Sequence, residues 1–129
     1  MILLRTERLT GVHPDLKKVI ELATERAPWP VAVIEGVRSV ERQKILLARG
    51  SSWTMNSRHI PGADNLAKAA DIAPAPDRVV DWAWPMFHIL APIVKQAAAE
   101  LNIPIEWGGD WKGKQADGPH WQLPWKQYP

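Results

Sequence analysis

Leu16, Val19, Ile20 and Ala23 recur at helical spacing, and Pro14 suits a first helical position, so the pattern predicts a helix from Pro14 to about Arg26. Val31-Ala32-Val33-Ile34 is a short apolar run rich in β-branched residues and reads as a strand. Ser39 can cap a second helix, with Glu41 in its first turn and Gly50 at its end. Residues 51–67 show neither period and are expected to form a long loop. Ala69 to Ala73 reads as a strand stopped by Pro74 and Pro76. The clearest period lies further on. Met86, Ile89, Leu90, Ile93, Val94, Ala97 and Leu101 line one face of a helix expected from Pro85 to about Asn102, with a kink at Pro92. Ile103–Trp107 and Pro119–Leu123 read as final strands. This order implies an α+β fold in which a small antiparallel sheet is flanked by about three helices.

Length and charge narrow the class. The 129 residues, 46% of them apolar, are expected to form one domain, 1–129, around one core. Sixteen basic against 14 acidic residues leave a net charge of +2, with no Lys/Arg run or stripe, so no nucleic-acid partner is expected. No cysteine is present, which excludes disulfides, thiol nucleophiles and Cys-based metal sites. Met1 to Leu4 is too short for a signal core and is followed by Arg5, Glu7 and Arg8. No apolar run is long enough for a membrane span, so membrane insertion is not expected. The expectation is cytoplasmic synthesis as a monomer, with any export supplied by other factors.

Eight tryptophans stand against one Tyr and one Phe. Tryptophan combines a wide apolar face with one donor, so it serves a core or a substrate cleft equally well. Trp107, beside the Gly108-Gly109 turn, is the strongest candidate for a cleft wall.

Three segments carry candidate chemistry: Ser57-Arg58-His59, Ala70-Asp71-Ile72-Ala73-Pro74, and Asp117-Gly118-Pro119-His120. His59, Asp71 and His120 make a three-ligand set, and catalytic zinc sites use three protein ligands with one position open. Chance proximity of histidines to acids would give the same spacing. Asp117, close to the last ligand, could accept a proton from a metal-activated water. Asp-Gly-Pro also favours a plain turn, and a turn can position a carboxylate. Arg38, at the start of the second helix, could hold a developing oxyanion, or be an ordinary surface arginine. Gln43 lies one turn later. His13 and His88 are expected to be solvated.

The ordered set of segments resembles the LAS-type zinc peptidases. That group includes D-alanyl-D-alanine carboxypeptidases and dipeptidases and phage L-alanyl-D-glutamate endopeptidases. The resemblance rests on Gly36-Val37-Arg38-Ser39 with Gln43, Ser57-Arg58-His59 and Ala70-Asp71-Ile72-Ala73-Pro74. It continues through Glu106-Trp107-Gly108-Gly109-Asp110-Trp111 and Asp117-Gly118-Pro119-His120-Trp121-Gln122-Leu123. Each segment alone is common, but the order across residues 8–123 is specific. Trp-Gly-Gly-Asp-Trp and an aspartate before the last histidine look most like the catalytic domain of phage endolysins.

The resemblance implies one Zn2+ per chain on His59, Asp71 and His120, Asp117 as base, and Arg38 polarising the scissile carbonyl. Ser57, Gln43 and Trp107 would contact substrate. It implies cleavage of the peptidoglycan stem peptide at the L-alanyl-D-glutamate bond, at the wall or in the periplasm, after holin-dependent release. The alternatives are a D-alanyl-D-alanine carboxypeptidase and a non-catalytic, zinc-stabilised wall-binding module. The His59–Asp71 segment is longer than in relatives, an extra loop of roughly Pro61 to Lys68. That makes Asp64 a rival carboxylate, but Asp71 sits in the matching Asp-Ile-Ala-Pro segment.

Overall fold

The computed structural model describes residues 2–129. Its regular elements are β1 (Leu3–Leu4), α1 (Pro14–Arg26), β2 (Val31–Glu35), α2 (Val40–Ala48), β3 (Ala69–Pro74), α3 (Trp84–Glu100), β4 (Glu106–Trp107) and β5 (His120–Gln122). Short 3-10 turns occupy Thr6–Leu9, Pro76–Arg78, Gly108–Asp110 and Gly113–Gln115.

Local chemistry sets the helix starts. Pro14 opens α1, and His13 caps it, its Nδ1 accepting from Asp15 N at 3.0 Å. Ser39 caps α2, its Oγ accepting from Arg42 N at 3.0 Å. These side chains satisfy N–H groups that the first helical turn leaves without partners. Residues 51–67 carry no helix or strand, as their composition predicts.

The sheet order is β1-β2-β3-β5-β4. Among the described strands only β1 pairs in parallel, with β2; the other strand pairs are antiparallel. Side chains alternate across a strand, and the registers make that alternation a division of labour. Ile72 pairs with Val33, Ala70 with Trp121, and Trp121 with Trp107. These join the buried core with Leu16, Val19 and Ile20 of α1 and Leu90 and Val94 of α3. On the opposite face Asp71 pairs with both Glu35 and His120, and Gln122 pairs with Glu106. One face is apolar and covered by helices; the other gathers the polar groups.

Three details differ from the pattern-based reading. β1 was not anticipated, because two residues carry no readable period. β4 holds only Glu106–Trp107, shorter than the strand expected from Ile103. The buried face of α3 is Phe87, Leu90, Ala91, Val94, Ala97 and Ala98, while Ile89 and Leu101 are exposed. This helix is apolar enough for two neighbouring stripes to satisfy the same spacing. Burial selects the stripe carrying three alanines, whose small side chains let helices approach closely. The helix runs unbroken through Pro92, which sits on its exposed side.

Candidate active site

The polar sheet face and the 51–67 loop enclose a cleft of about 800 Å³. Asp71 lies between His59 and His120, two residues that line the cleft. Its Oδ1 lies 3.2 Å from His59 Nε2 and 3.3 Å from His120 Nδ1. The candidate ligand atoms of the three residues lie within 4.8 Å of one another. Two strands supply Asp71 and His120 as direct cross-strand partners, and the loop supplies His59.

Each histidine is anchored through its other ring nitrogen. His59 Nδ1 lies 2.8 Å from Gly36 O, and His120 Nε2 lies 2.7 Å from Gln122 Oε1. Both anchors are acceptors, so with a metal bound each ring would keep its proton outward and offer the nitrogen facing Asp71 to the ion. Ligating histidines are normally oriented in this way. The backbone fixes the loop as well. Arg38 N donates to His59 O at 2.8 Å, and Lys68 N donates to Arg58 O at 2.9 Å. Two imidazole nitrogens and one carboxylate oxygen, all nearly buried, fit a divalent metal such as zinc. Asp64 is not part of this group; it is exposed and paired with Lys68 within the extra loop.

Electrostatics follow from the crowding. Burial opposes charge on Asp71, but the two histidines outweigh it and hold the carboxyl well below the usual range. Burial likewise disfavours a charged His120, and its bond to Asp71 more than reverses that. Asp117 lines the cleft half-buried; desolvation and the nearby charge of Asp71 push its pKa up. Its turn is set by close packing: Asp117 N donates to Gly108 O at 2.9 Å, and His120 N to Asp117 O at 3.3 Å.

Arg38 also faces the cleft. Its Nε donates to Glu35 at 2.6 Å, Nη1 donates to Gln43 Oε1 at 2.7 Å, and Nη2 lies 4.0 Å from Asp71 Oδ2. The register shift between Val33 and Glu35 brings Glu35 opposite Asp71, on this face. Ser57 lines the cleft, and its Oγ accepts from His59 N at 3.2 Å.

Two expected substrate contacts fall elsewhere. Gln43 is fully buried and outside the cleft lining; it accepts from Arg38 and donates to Ser52 Oγ at 2.7 Å and to the Thr54 carbonyl. It therefore braces Arg38 against the loop. Trp107 is 5% exposed, stacks on Trp121 with centroids 5.8 Å apart, and donates to Gly118 O at 2.7 Å. It supports the Asp117 turn from the core side. The aromatic walls of the cleft are Trp53, Trp111 and Trp125. The Trp111 ring lies 4.9 Å from His120.

Glu35, Gln122 and Trp111 are site residues that the sequence reading did not single out. For Gln122 a signal exists: it stands two residues after His120 on a strand, hence on the same face. Of the remaining histidines, His13 caps α1 rather than standing in solvent, and His88 is exposed against the Trp84 and Trp107 rings.

Comparison with known proteins follows this geometry. The family model of the phage L-alanyl-D-glutamate peptidases matches residues 4–122. The L-alanyl-D-glutamate peptidase of Escherichia phage T5 is 31% identical over 109 residues, covering 81% of this chain and 76% of that protein. The enzyme of the same name from Listeria phage A118 is 34% identical over 98 residues, 76% of this chain but 32% of that longer protein. The crystal structure of the Serratia marcescens L-Ala D-Glu endopeptidase ChiX superposes with a TM-score of 0.85 at 44% identity, covering 95% of this chain and 88% of that one. The vancomycin-resistance D,D-dipeptidase VanXYg shares the fold alone, with a TM-score of 0.51 at 16% identity, over 87% of this chain and 50% of that one.

Proposed function

Because the chain belongs to the phage L-alanyl-D-glutamate peptidase family, whose members hydrolyse peptidoglycan, we propose that it cleaves the L-alanyl-D-glutamate bond of the stem peptide with one zinc ion. The observation that carries the metal part is Asp71 facing His59 and His120 at once, with both imidazoles anchored from behind. Zinc held by His59, Asp71 and His120 would lower the pKa of a water to about 7 and polarise a carbonyl.

The remaining roles belong to the chain's own side chains. Asp117 takes the proton of the attacking water and hands it to the departing amine. Arg38, held by Glu35 and Gln43, offers a fixed positive fork to the carbonyl oxygen. Trp53, Trp111 and Trp125 give the peptide an apolar surface.

Mass analysis of products from purified peptidoglycan tests the reading. The expected products are peptides beginning with D-glutamate, formed with zinc and abolished by a chelator. Release of D-alanine alone would point to carboxypeptidase action. Binding to the wall without any product would point to a non-catalytic module.

A further inference from the structure

His120 is held from the side away from Asp71, and that hold decides which of its nitrogens can bind a metal. A neutral imidazole carries a proton on one nitrogen and a lone pair on the other, and only the lone pair ligates. His120 Nε2 lies 2.7 Å from Gln122 Oε1, and Nδ1 lies 3.3 Å from Asp71 Oδ1. An amide can present either its oxygen or its NH2, so Gln122 alone could favour either tautomer. Its orientation must come from a further partner.

That partner is Glu106. It sits on β4 in register with Gln122, and its Oε2 lies 3.5 Å from Gln122 Nε2. An ionised carboxylate only accepts, so the amide NH2 turns to Glu106 and the amide oxygen turns to His120. The amide oxygen also only accepts. Nε2 must therefore carry a proton, and when a metal takes the place of the proton shared with Asp71, Nδ1 is the nitrogen left to bind it. His59 needs no such chain, because its outer partner is the fixed carbonyl of Gly36.

Resting on the metal reading above, we propose that Glu106 and Gln122 form a lock that fixes His120 as an Nδ1 ligand. Gln122 is thus a positioning residue for the metal, and Glu106 orients it in turn. Gln122 is nearly buried and Glu106 partly so, and both line the cleft.

Zinc affinity, read by competition with a chromophoric chelator, and imidazole nitrogen NMR test the lock. Gln122→Leu keeps roughly the same bulk but offers no acceptor, and should weaken zinc binding about 10–100-fold, the usual range for lost outer-shell partners. The exchanged pair Glu106→Gln with Gln122→Glu restores an acceptor for His120 and a donor between the strands. It should bind zinc within about threefold of the native protein, a difference well under one tenfold step. In the native zinc form, NMR should show His120 protonated on Nε2 and metal-bound through Nδ1.

Metal on Nε2, Gln122→Leu within about threefold of native affinity, or an exchanged pair as weak as Gln122→Leu would each overturn the lock. Should Gln122→Leu fail to fold, the exchanged pair and the native spectrum still decide. Native protein that takes up no zinc would sink the metal reading itself, a distinct result.

Discussion

Asp71 and His120 face each other across β3 and β5, with Asp71 Oδ1 3.3 Å from His120 Nδ1. In metal-free protein this contact has a definite pH signature. The depressed pKa of Asp71 contributes stability that is present above its unfolded value of about 3.9 and is lost as pH falls through the folded value. The raised pKa of His120 contributes stability that is present below about 6.5 and is lost as pH rises through its folded value. Both contributions coexist between about pH 4 and 6.5, so thermal stability of the metal-free protein should peak there. Zinc competes with protons for the imidazoles, so the rise in Tm on adding zinc should grow from about pH 6 to 8. Calorimetry across this range checks both trends. A metal-free Tm that climbs steadily above about pH 7 would contradict the first.

Substitution of Arg38 tests whether hydrolysis can be separated from metal binding. Arg38 touches Glu35 and Gln43 and lies 4.0 Å from Asp71, so its removal leaves more negative charge near the metal, not less. Arg38→Ala should therefore keep its zinc while hydrolysis falls about 10²–10³-fold, the usual cost of losing one oxyanion donor. Arg38→Lys should recover only part of that, since lysine lacks the planar fork. Metal content together with product release from peptidoglycan measures both. Hydrolysis near the native rate in Arg38→Ala would leave the residue with an ion-pairing role alone.

Gly108 has no room for a side chain. A Cβ there would lie 2.5 Å from Asp117 O and 2.9 Å from His120 Cβ. The first of these is backbone and cannot rotate away, so the turn carrying Asp117 must move. Gly108→Ala should destabilise the fold by about 1–3 kcal/mol, the range for forcing extra methyl volume into a packed site. It should also depress hydrolysis and zinc affinity together, because the added methyl meets both the Asp117 turn and His120, a candidate ligand. Denaturant unfolding and product assays on one preparation would show it. A variant as stable and active as the native protein would mean that the turn yields freely.

Much of this site was legible because it obeys short-range rules. Pro14 marks a helix start through its fixed φ and absent N–H, Ser39 marks one through its capping hydrogen bond, and His120-Trp121-Gln122 alternates in the strict period of a strand. The same alternation, applied to Glu106 and Trp107, would have placed Trp107 with Trp121 in the core instead of in the cleft. What could not be read depends on register and long-range contact. Glu35 reaches the site through an irregularity in β2 that no local pattern encodes. Gln43 is buried on a helix whose other residues are largely exposed, so its bracing of Arg38 has no amphipathic signature. Arg58 donates to the carbonyls of Leu123, Pro124 and Tyr128 and tethers the C-terminal segment, contacts 65 to 70 residues apart in sequence.

Asp117 gives the sharpest separation of roles. It lines the cleft but is not one of the three residues whose donor atoms converge, and burial together with Asp71 raises its pKa. Asp117→Asn keeps size and hydrogen-bonding capacity yet cannot take up a proton. It should fold normally and retain zinc, and hydrolysis should fall at least about 10²-fold, the lower end of general acid–base contributions. His120→Ala should instead lose zinc and activity together, since it removes a donor atom. The acid limb of kcat/KM in the native enzyme should belong to Asp117. The base must be ionised, so the rate should fall as that carboxylate is protonated. In Asp117→Asn the residual rate should lose this limb. Loss of zinc from Asp117→Asn would make Asp117 a ligand. Retention of both zinc and rate would move proton transfer to another group. Asp117→Glu adds one methylene to a turn packed against Gly108, so it should keep zinc and only part of the native rate.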